Sequence, residues 1–166
     1  MKQSVSHEKY MRQALTQAKR AGAIGDCPIG CVIVHDGTVV ARAYNLREFK
    51  NDATLHAEML AIRTACRKLG SWRLTDCDMY VTLEPCTMCA GAIIQSRIRH
   101  VYFGATDPKA GAVISKDRLF ERGHNHKVDF TPGILEEPCR ELLSGFFRDL
   151  RKQKKSHPES TISSSP

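Results

Sequence analysis

The 166-residue sequence predicts an α/β protein, a three-layer α/β/α sandwich built on a mixed central sheet of about five strands. Three observations lead to this prediction. Short β-branched apolar segments alternate with longer segments of helical periodicity. The pair Asp36-Gly37 between two such segments is a strong two-residue hairpin signal. The predicted order of helix, hairpin, helix, strand, helix, strand, strand, helix favours helices on both faces of the sheet.

The first half of the chain opens with a helix predicted over 7–21, where apolar residues recur at helical spacing until Gly22 and Gly25 end it. Strands follow over 29–35 and 38–44. A polar loop over 45–54 leads to His56. A helix with an apolar stripe follows over 57–69 and ends at Gly70.

The second half continues with a strand over 79–83 and a helix that begins at Pro85 and runs to about 96. A strand over 99–105 places Val101 and Phe103 on one face. A loop with Pro and Gly breakers leads to a last strand over 126–130, and a helix over 137–155 closes the domain. We therefore expect one domain over 1–155, followed by a disordered Ser/Pro-rich tail over 156–166.

Composition and charge limit the partners and the compartment. Apolar residues form 42% of the chain, and no apolar run reaches membrane-spanning length. The N-terminus carries no secretory segment, so we expect a cytoplasmic protein. Its seven cysteines, an odd number, are then expected to be reduced. The net charge of +7 is compatible with a polyanionic partner such as nucleic acid.

A candidate metal site lies in His56-Ala57-Glu58 and the later Pro85-Cys86-Thr87-Met88-Cys89. One His and two Cys give three protein ligands, which leaves the fourth position of a catalytic zinc open. Two cysteines three positions apart at a helix start share one face, and Pro85 fits the first turn. The positive end of that helix favours thiolates, which are the form that binds zinc.

Glu58 distinguishes this site from a structural one. A structural zinc site does not need a carboxylate two residues from a ligand, whereas a hydrolytic site needs a general acid/base beside the metal. Residues two apart on a helix point to nearly opposite sides, so His56 must lie at the irregular start of its helix. A structural zinc knuckle is the alternative. A second metal site from His124, His126 and Cys139 is not favoured, because these residues lack compact spacing.

The full H-x-E…P-C-x-x-C pattern is a signature of zinc nucleobase deaminases. Over about 29–147 the sequence resembles the cytidine deaminase superfamily, and within it the family of bacterial tRNA-specific adenosine deaminases. The resemblance rests on five segments, which are 54–58, 80–92, 96–98, 103–111 and 142–148. It implies a cytidine deaminase-like fold and zinc-dependent hydrolytic deamination of adenosine to inosine at the wobble position of a tRNA anticodon.

The resemblance also assigns roles to residues. It implies that one zinc per subunit is bound by His56, Cys86 and Cys89. Glu58 would move protons from the attacking water to the purine and to the departing amine. The expected substrate contacts are Asn45 to the nucleoside, Pro28, Ile29 and Val34 around the base, Asp107 and Lys109 at the anticodon, and Phe147, Arg148 and Arg151 at flanking nucleotides. The family is homodimeric, with the second subunit completing the RNA site.

Two segments depart from the family pattern. Residues 112–117 replace a frequent Gly-Ser-x-x-x-Leu run, and Leu46 replaces a residue that is often basic. The basic end of the last helix suits either a solvated helix terminus or phosphate contacts. Two rival hypotheses remain, a zinc deaminase of a free base, nucleoside or nucleotide, and a zinc-stabilised RNA-binding module without catalysis.

Overall fold

The computed structural model describes residues 2–157, with side chains from residue 7 onward. The elements in chain order are α1 (Lys2–Ala23), β1 (Gly30–His35), β2 (Thr38–Tyr44), α2 (Arg47–Lys50), α3 (Ala57–Leu69), β3 (Cys77–Leu83), α4 (Thr87–Gln95), β4 (His100–Ala105), a 3₁₀ turn (Leu119–Glu121), β5 (Asp129–Thr131) and α5 (Glu136–Ser156). Within residues 2–157, no helix combines the length and apolar character needed to cross a membrane.

The five strands form one mixed sheet in the order β2-β1-β3-β4-β5. β1 is antiparallel to both β2 and β3, whereas β3, β4 and β5 run parallel. Asp36 and Gly37 both have positive φ, 46° and 73°, as the predicted two-residue hairpin requires. The predicted mixed sheet of about five strands is confirmed.

Helices cover both faces of the sheet. α3 and α4 pack on one face with side chains such as Ile33, Val81 and Phe103. α1 and α5 cover the other face, where Val32 and Tyr80 point. Neighbouring residues of β1 and β3 thus belong to different cores, because successive side chains of a strand alternate between faces. The predicted three-layer α/β/α sandwich is confirmed.

Two glycines allow the helices of the second face to approach the sheet closely. A Cβ on Gly30 of β1 would lie 1.9 Å from the carbonyl oxygen of Ala14 in α1. A Cβ on Gly104 of β4 would lie 2.3 Å from the Sγ of Cys139 in α5. Both helices therefore rest almost directly on strand backbone, and any side chain at either glycine would push them away.

Several predicted boundaries need correction. α1 begins at Lys2 rather than at residue 7, and the predicted loop over 45–54 contains α2. Pro85 precedes the first turn of α4, because Cys86 is the N-cap of that helix. The last strand is displaced to Asp129–Thr131, and α5 extends to Ser156, one residue into the predicted tail. Residues 158–166 of that tail lie outside the described residues.

Candidate metal centre

The predicted metal ligands come from the starts of two helices on the same face of the sheet. His56 is the N-cap residue of α3 and Cys86 is the N-cap residue of α4, both with extended backbone. Cys89 is the third residue of α4. The His56 side chain makes no capping hydrogen bond to its own helix, so it remains available for another partner. The expected placement of His56 at the irregular start of its helix is confirmed.

The three side chains converge as zinc ligands should. The Nδ1 atom of His56 lies 3.7 Å from the Sγ of Cys86 and 3.6 Å from the Sγ of Cys89. Tetrahedral zinc with ordinary Zn–N and Zn–S bonds separates such atoms by about 3.6 Å. The donor set therefore fits zinc. Among the residues that the structure describes, these three form the one cluster of three or more potential ligands.

The electrostatics favour a thiolate at this position. Hydrogen bonds from the Cys89 thiol and from His56 lower the pKa of Cys86 to about 4, against the opposing effect of burial. The hydrogen bond to Cys86 also raises the pKa of His56. The five cysteines outside the cluster are unpaired, and burial raises the pKa of each, which suits inert apolar side chains.

Glu58 is buried beside the cluster. It lies in the first turn of α3, two residues after His56, with only 4% of its surface exposed. Burial, aided by the nearby Cys86, raises the pKa of Glu58 to about 7, although a hydrogen bond from its own backbone N–H opposes the shift. A carboxyl group with a pKa near the working pH can both accept and release a proton.

Asn45 lies next to the metal cluster, at the end of β2, and is held in one orientation. Its Oδ1 accepts a hydrogen bond from the backbone N–H of Ala57 at 3.2 Å, and its Nδ2 donates to Asp26 Oδ1 at 3.4 Å. Rotating the amide by 180° would set the NH₂ group against an N–H and the oxygen against a carboxylate. Asn45 therefore presents a fixed pattern of donor and acceptor next to His56.

Asp26 is a buried carboxylate that we did not identify from the sequence. It accepts the backbone N–H groups of Cys27 at 2.8 Å, Glu48 at 2.9 Å and Phe49 at 3.0 Å, in addition to Asn45. It therefore joins the loop after α1 to α2 and to Asn45. An acid directly before the Cys27-Pro28-Ile29 segment is the only signal of this role in the sequence.

Glu84 is the second buried carboxylate that the sequence analysis missed. Its Oε2 accepts the backbone N–H groups of Val113, Ile114 and Ser115 at 2.9–3.1 Å, and its Oε1 accepts that of Asp107 at 3.0 Å. Gly111 lies against this carboxylate, and Cys86 pairs with Gly111 in an isolated bridge. The 107–115 loop is thus fastened beside the metal cluster.

Asp107 and Lys109, predicted to contact the anticodon, lie in this loop. The carboxylate of Asp107 accepts the backbone N–H groups of Lys109 at 3.1 Å and Ala110 at 3.2 Å, so it shapes its own turn. Lys109 is exposed. The loop over 112–117, which departs from the family pattern, keeps Ser115 as a hydroxyl donor to Glu84.

The predicted wall of the base pocket needs one correction. Pro28 is buried and Ile29 is partly buried against the core beneath α3 and α4. Val34, in contrast, belongs to the core on the α1 face, and it pairs with Asp78 at the far end of β3 from Cys86. The assignment of Val34 is therefore wrong. Cys31, on the α3 face of β1, lies near enough to Glu58 for that carboxylate to raise the pKa of its thiol.

The remaining predicted contacts lie on α5. Phe147, Arg148 and Arg151 are exposed there, and Phe147 shows 42% of its surface. α5 covers the face of the sheet opposite α3 and α4. The structure thus brings Asn45, Glu58 and the loop with Asp107 to the metal cluster, and places the α5 residues on a separate surface. His126 donates to the carbonyl of Ile98 at 2.8 Å and has a structural role.

Comparison with known proteins agrees with this geometry. The sequence matches the family described as cytidine and deoxycytidylate deaminase zinc-binding region over residues 4–105. It is 50% identical over 150 residues to the tRNA-specific adenosine deaminase of Bacillus subtilis, covering 90% of this chain and 93% of that protein.

Solved structures give the same picture. A structure from work on A-to-I editing by tRNA:A34 deaminases at the wobble position of transfer RNA has a TM-score of 0.79, with 48% identity over 81% of this chain and 99% of that one. A guanine deaminase from Bacillus subtilis has a TM-score of 0.59 with 33% identity, over 88% of this chain and 94% of that one. Both the sequence identity and the TM-score are therefore higher for the tRNA deaminase structure than for this guanine deaminase.

Proposed function

Because the chain belongs to the tRNA-specific adenosine deaminases, a family of the zinc-binding cytidine and deoxycytidylate deaminase group, we propose that it deaminates adenosine to inosine at the wobble position of a tRNA anticodon. The observation that carries this proposal is the convergence of His56, Cys86 and Cys89 beside the buried carboxyl group of Glu58. Metal ligands alone would suit a structural site, whereas the proton-transfer group beside them suits hydrolysis.

The ligands and Glu58 have distinct roles in the reaction. His56 offers Nδ1, and two cysteine thiolates balance the charge of Zn²⁺. Bound zinc supplies a water activated near neutral pH. Glu58 takes one proton from the attacking water, delivers it to the purine ring nitrogen and then assists departure of the amine as ammonia. The reaction converts adenosine and water into inosine and ammonia.

The substrate contacts are also proposed. Asn45 is suited to bind the target nucleoside, since its amide is fixed by two partners next to the metal ligands. We propose that Pro28 and Ile29 contact the base, that Asp107 and Lys109 meet the anticodon, and that the surface of Phe147, Arg148 and Arg151 meets flanking nucleotides. An unpaired anticodon loop lowers the free energy needed to unstack the target base.

The state and location of the protein follow from this function. We propose a homodimer in which the second subunit completes the RNA site, in keeping with the family resemblance. We place it in the cytoplasm because its tRNA substrate is found there. Residues 1–155 would form the single deaminase domain of each subunit, which binds one zinc ion.

The proposal is tested by incubating zinc-loaded protein with the anticodon stem-loop of an arginine tRNA that carries adenosine at the wobble position. Inosine formation in this stem-loop, without turnover of free adenosine, guanine or cytidine, is the expected result. Guanine turnover without inosine formation would favour the free-base rival, for which the likeness to guanine deaminase is the supporting observation. RNA binding without ammonia release would favour the non-catalytic module.

A further inference from the structure

We propose that Phe49 is an aromatic platform on which an unpaired base of the RNA substrate stacks at the mouth of the metal centre. This inference rests on the proposed function, because it names a contact of that same substrate. Phe49 is 57% exposed, the largest exposed fraction among the exposed large apolar side chains of the described residues. An aromatic face of this kind accepts any base, since every base has a π-face.

The backbone that carries this ring is fixed. Asp26 Oδ2 accepts the N–H of Phe49 at 3.0 Å and that of Glu48 at 2.9 Å. The N–H of Lys50 donates to Leu46 at 2.9 Å, and Asn51 ends α2 in the left-handed conformation with φ 51°. Four residues of helix would not persist alone, so this order depends on the buried carboxylate. A ring on a fixed backbone loses little conformational freedom when it binds.

Phe49 is tied to the site by a short series of hydrogen bonds. The carboxylate that holds its N–H also accepts the side chain of Asn45 at 3.4 Å. Asn45 in turn accepts the N–H of Ala57, the residue directly after His56. The base of the same loop is closed by the Leu46 N–H, which donates to Leu55 at 3.0 Å. The exposed ring therefore stands on the loop that delivers the first metal ligand.

The charge around the ring matches a nucleotide. The Nζ atom of Lys50 lies 5.6 Å from the centroid of the Phe49 ring. The guanidinium of Arg47 at the other end of the same helix pairs with Glu48 at 3.4 Å, and the chain as a whole carries a net charge of +7. A stacking face beside a cation such as Lys50 fits a base together with its phosphate. The target adenosine of an anticodon has unpaired neighbours, and one of these is the occupant that we propose.

Trp72 provides a matched control for the test. It is 52% exposed, and the guanidinium carbon of Arg73 lies 4.1 Å from the centroid of its ring. It follows the C-terminal end of α3, while the metal ligands lie at the N-terminal end. The 13 residues of α3 span about 20 Å. The two aromatic side chains therefore share exposure and a cationic neighbour and differ in distance from the site.

The experiment compares Phe49→Ala, Phe49→Trp and Trp72→Ala in the zinc-loaded protein. The probes are anticodon stem-loops with the wobble adenosine kept and 2-aminopurine placed at one other loop position at a time. We expect Phe49→Ala to raise the KM about tenfold with kcat within twofold, as loss of one base stack implies. At one loop position the fluorescence quenching should disappear. Phe49→Trp should keep the wild-type KM and the fluorescence quenching, and Trp72→Ala should behave as the wild type.

Three results would overturn the inference. The first is an unchanged KM and unchanged quenching in Phe49→Ala when the wild type is active. The second is an equal rise of KM in Trp72→Ala. The third is a change of oligomeric state in Phe49→Ala by sedimentation, since the ring would then pack against a second copy of the chain. A wild-type protein that forms no inosine in any stem-loop would instead overturn the proposed function.

Discussion

Replacing Glu84 with Gln should lower the free energy of unfolding substantially, because one carboxylate organises the 107–115 loop. The amide can keep its oxygen on the three backbone N–H groups of Val113, Ile114 and Ser115. Its NH₂ group then faces the N–H of Asp107, which currently donates to Oε1 at 3.0 Å. Two donors would oppose each other at a buried position, and the remaining bonds would lose their charge.

The expected loss is about 3 kcal/mol. A buried donor left without an acceptor costs about 1–3 kcal/mol, and hydrogen bonds to a charged group are worth about 0.5–1.5 kcal/mol more than neutral ones. For a chain of this length the change corresponds to a fall in Tm of roughly 6–12 °C. Urea unfolding of the zinc-loaded protein at pH 7 measures it. Glu137→Gln is the control, because that exposed carboxylate pairs with Arg140 at the surface and should change stability by less than about 1 kcal/mol.

The pH dependence gives a second measure of the same interaction. Burial opposes ionisation of Glu84, but hydrogen bonds from Ser115, Ile114 and Asp107 outweigh it and lower the pKa of the carboxyl group. Ionised Glu84 contributes its full share of the free energy of unfolding above the ordinary Glu pKa of about 4.3. This contribution disappears as the pH falls through the lowered pKa of Glu84 in the folded protein. With EDTA present, so that metal loss does not contribute, the difference between wild type and Glu84→Gln should shrink in acid. The reasoning would be refuted if Glu84→Gln lost no more free energy of unfolding than Glu137→Gln, or if its loss did not change with pH.

Three further predictions concern the chemistry and the packing. Glu58→Gln should retain one zinc per subunit by elemental analysis and lose inosine formation by at least about a hundredfold, in line with loss of general acid/base catalysis; normal turnover would remove Glu58 from the mechanism. After zinc removal, Cys86 should react with iodoacetamide faster than Cys27, because its pKa of about 4 makes it a thiolate at neutral pH whereas the pKa of Cys27 is about 11. Peptide mass spectrometry with and without zinc measures which cysteine is alkylated first. Gly30→Ala should prevent normal packing of α1, because the new Cβ would lie 1.9 Å from the carbonyl oxygen of Ala14, and a Tm within about 2 °C of the wild type would contradict this.

Local signals account for the parts of the fold that the sequence predicted well. The bounds of β2 and α3 agree with the prediction, because Asp36-Gly37 and Gly70 are residues that adopt the positive φ of a hairpin turn and a helix C-cap. The metal ligands were also predictable, since His56, Cys86 and Cys89 belong to two short motifs. Chemistry that depends on a few residues at fixed spacing can be recognised without knowing the fold.

The errors arose where distant parts of the chain decide the structure. α2 is too short to be stable alone and depends on Asp26, more than twenty residues earlier in the chain. Val34 was assigned to the base pocket by the family resemblance together with Ile29, but the two residues are five positions apart on an alternating strand and so belong to opposite faces of the sheet. The role of Glu84 depends on N–H groups about thirty residues later. Contacts of this separation have no periodic pattern in the sequence.

The strand order β2-β1-β3-β4-β5 has a consequence for how a newly made chain can fold on the ribosome. Once the β1–β2 hairpin has formed, every later strand joins the same open edge in the order in which it is synthesised. No finished strand pair has to open to admit another. His56 therefore emerges before Cys86 and Cys89, and the 107–115 loop, which is fastened beside them through Glu84, emerges next. Synthesis from the N-terminus and assembly of the catalytic centre proceed in the same direction.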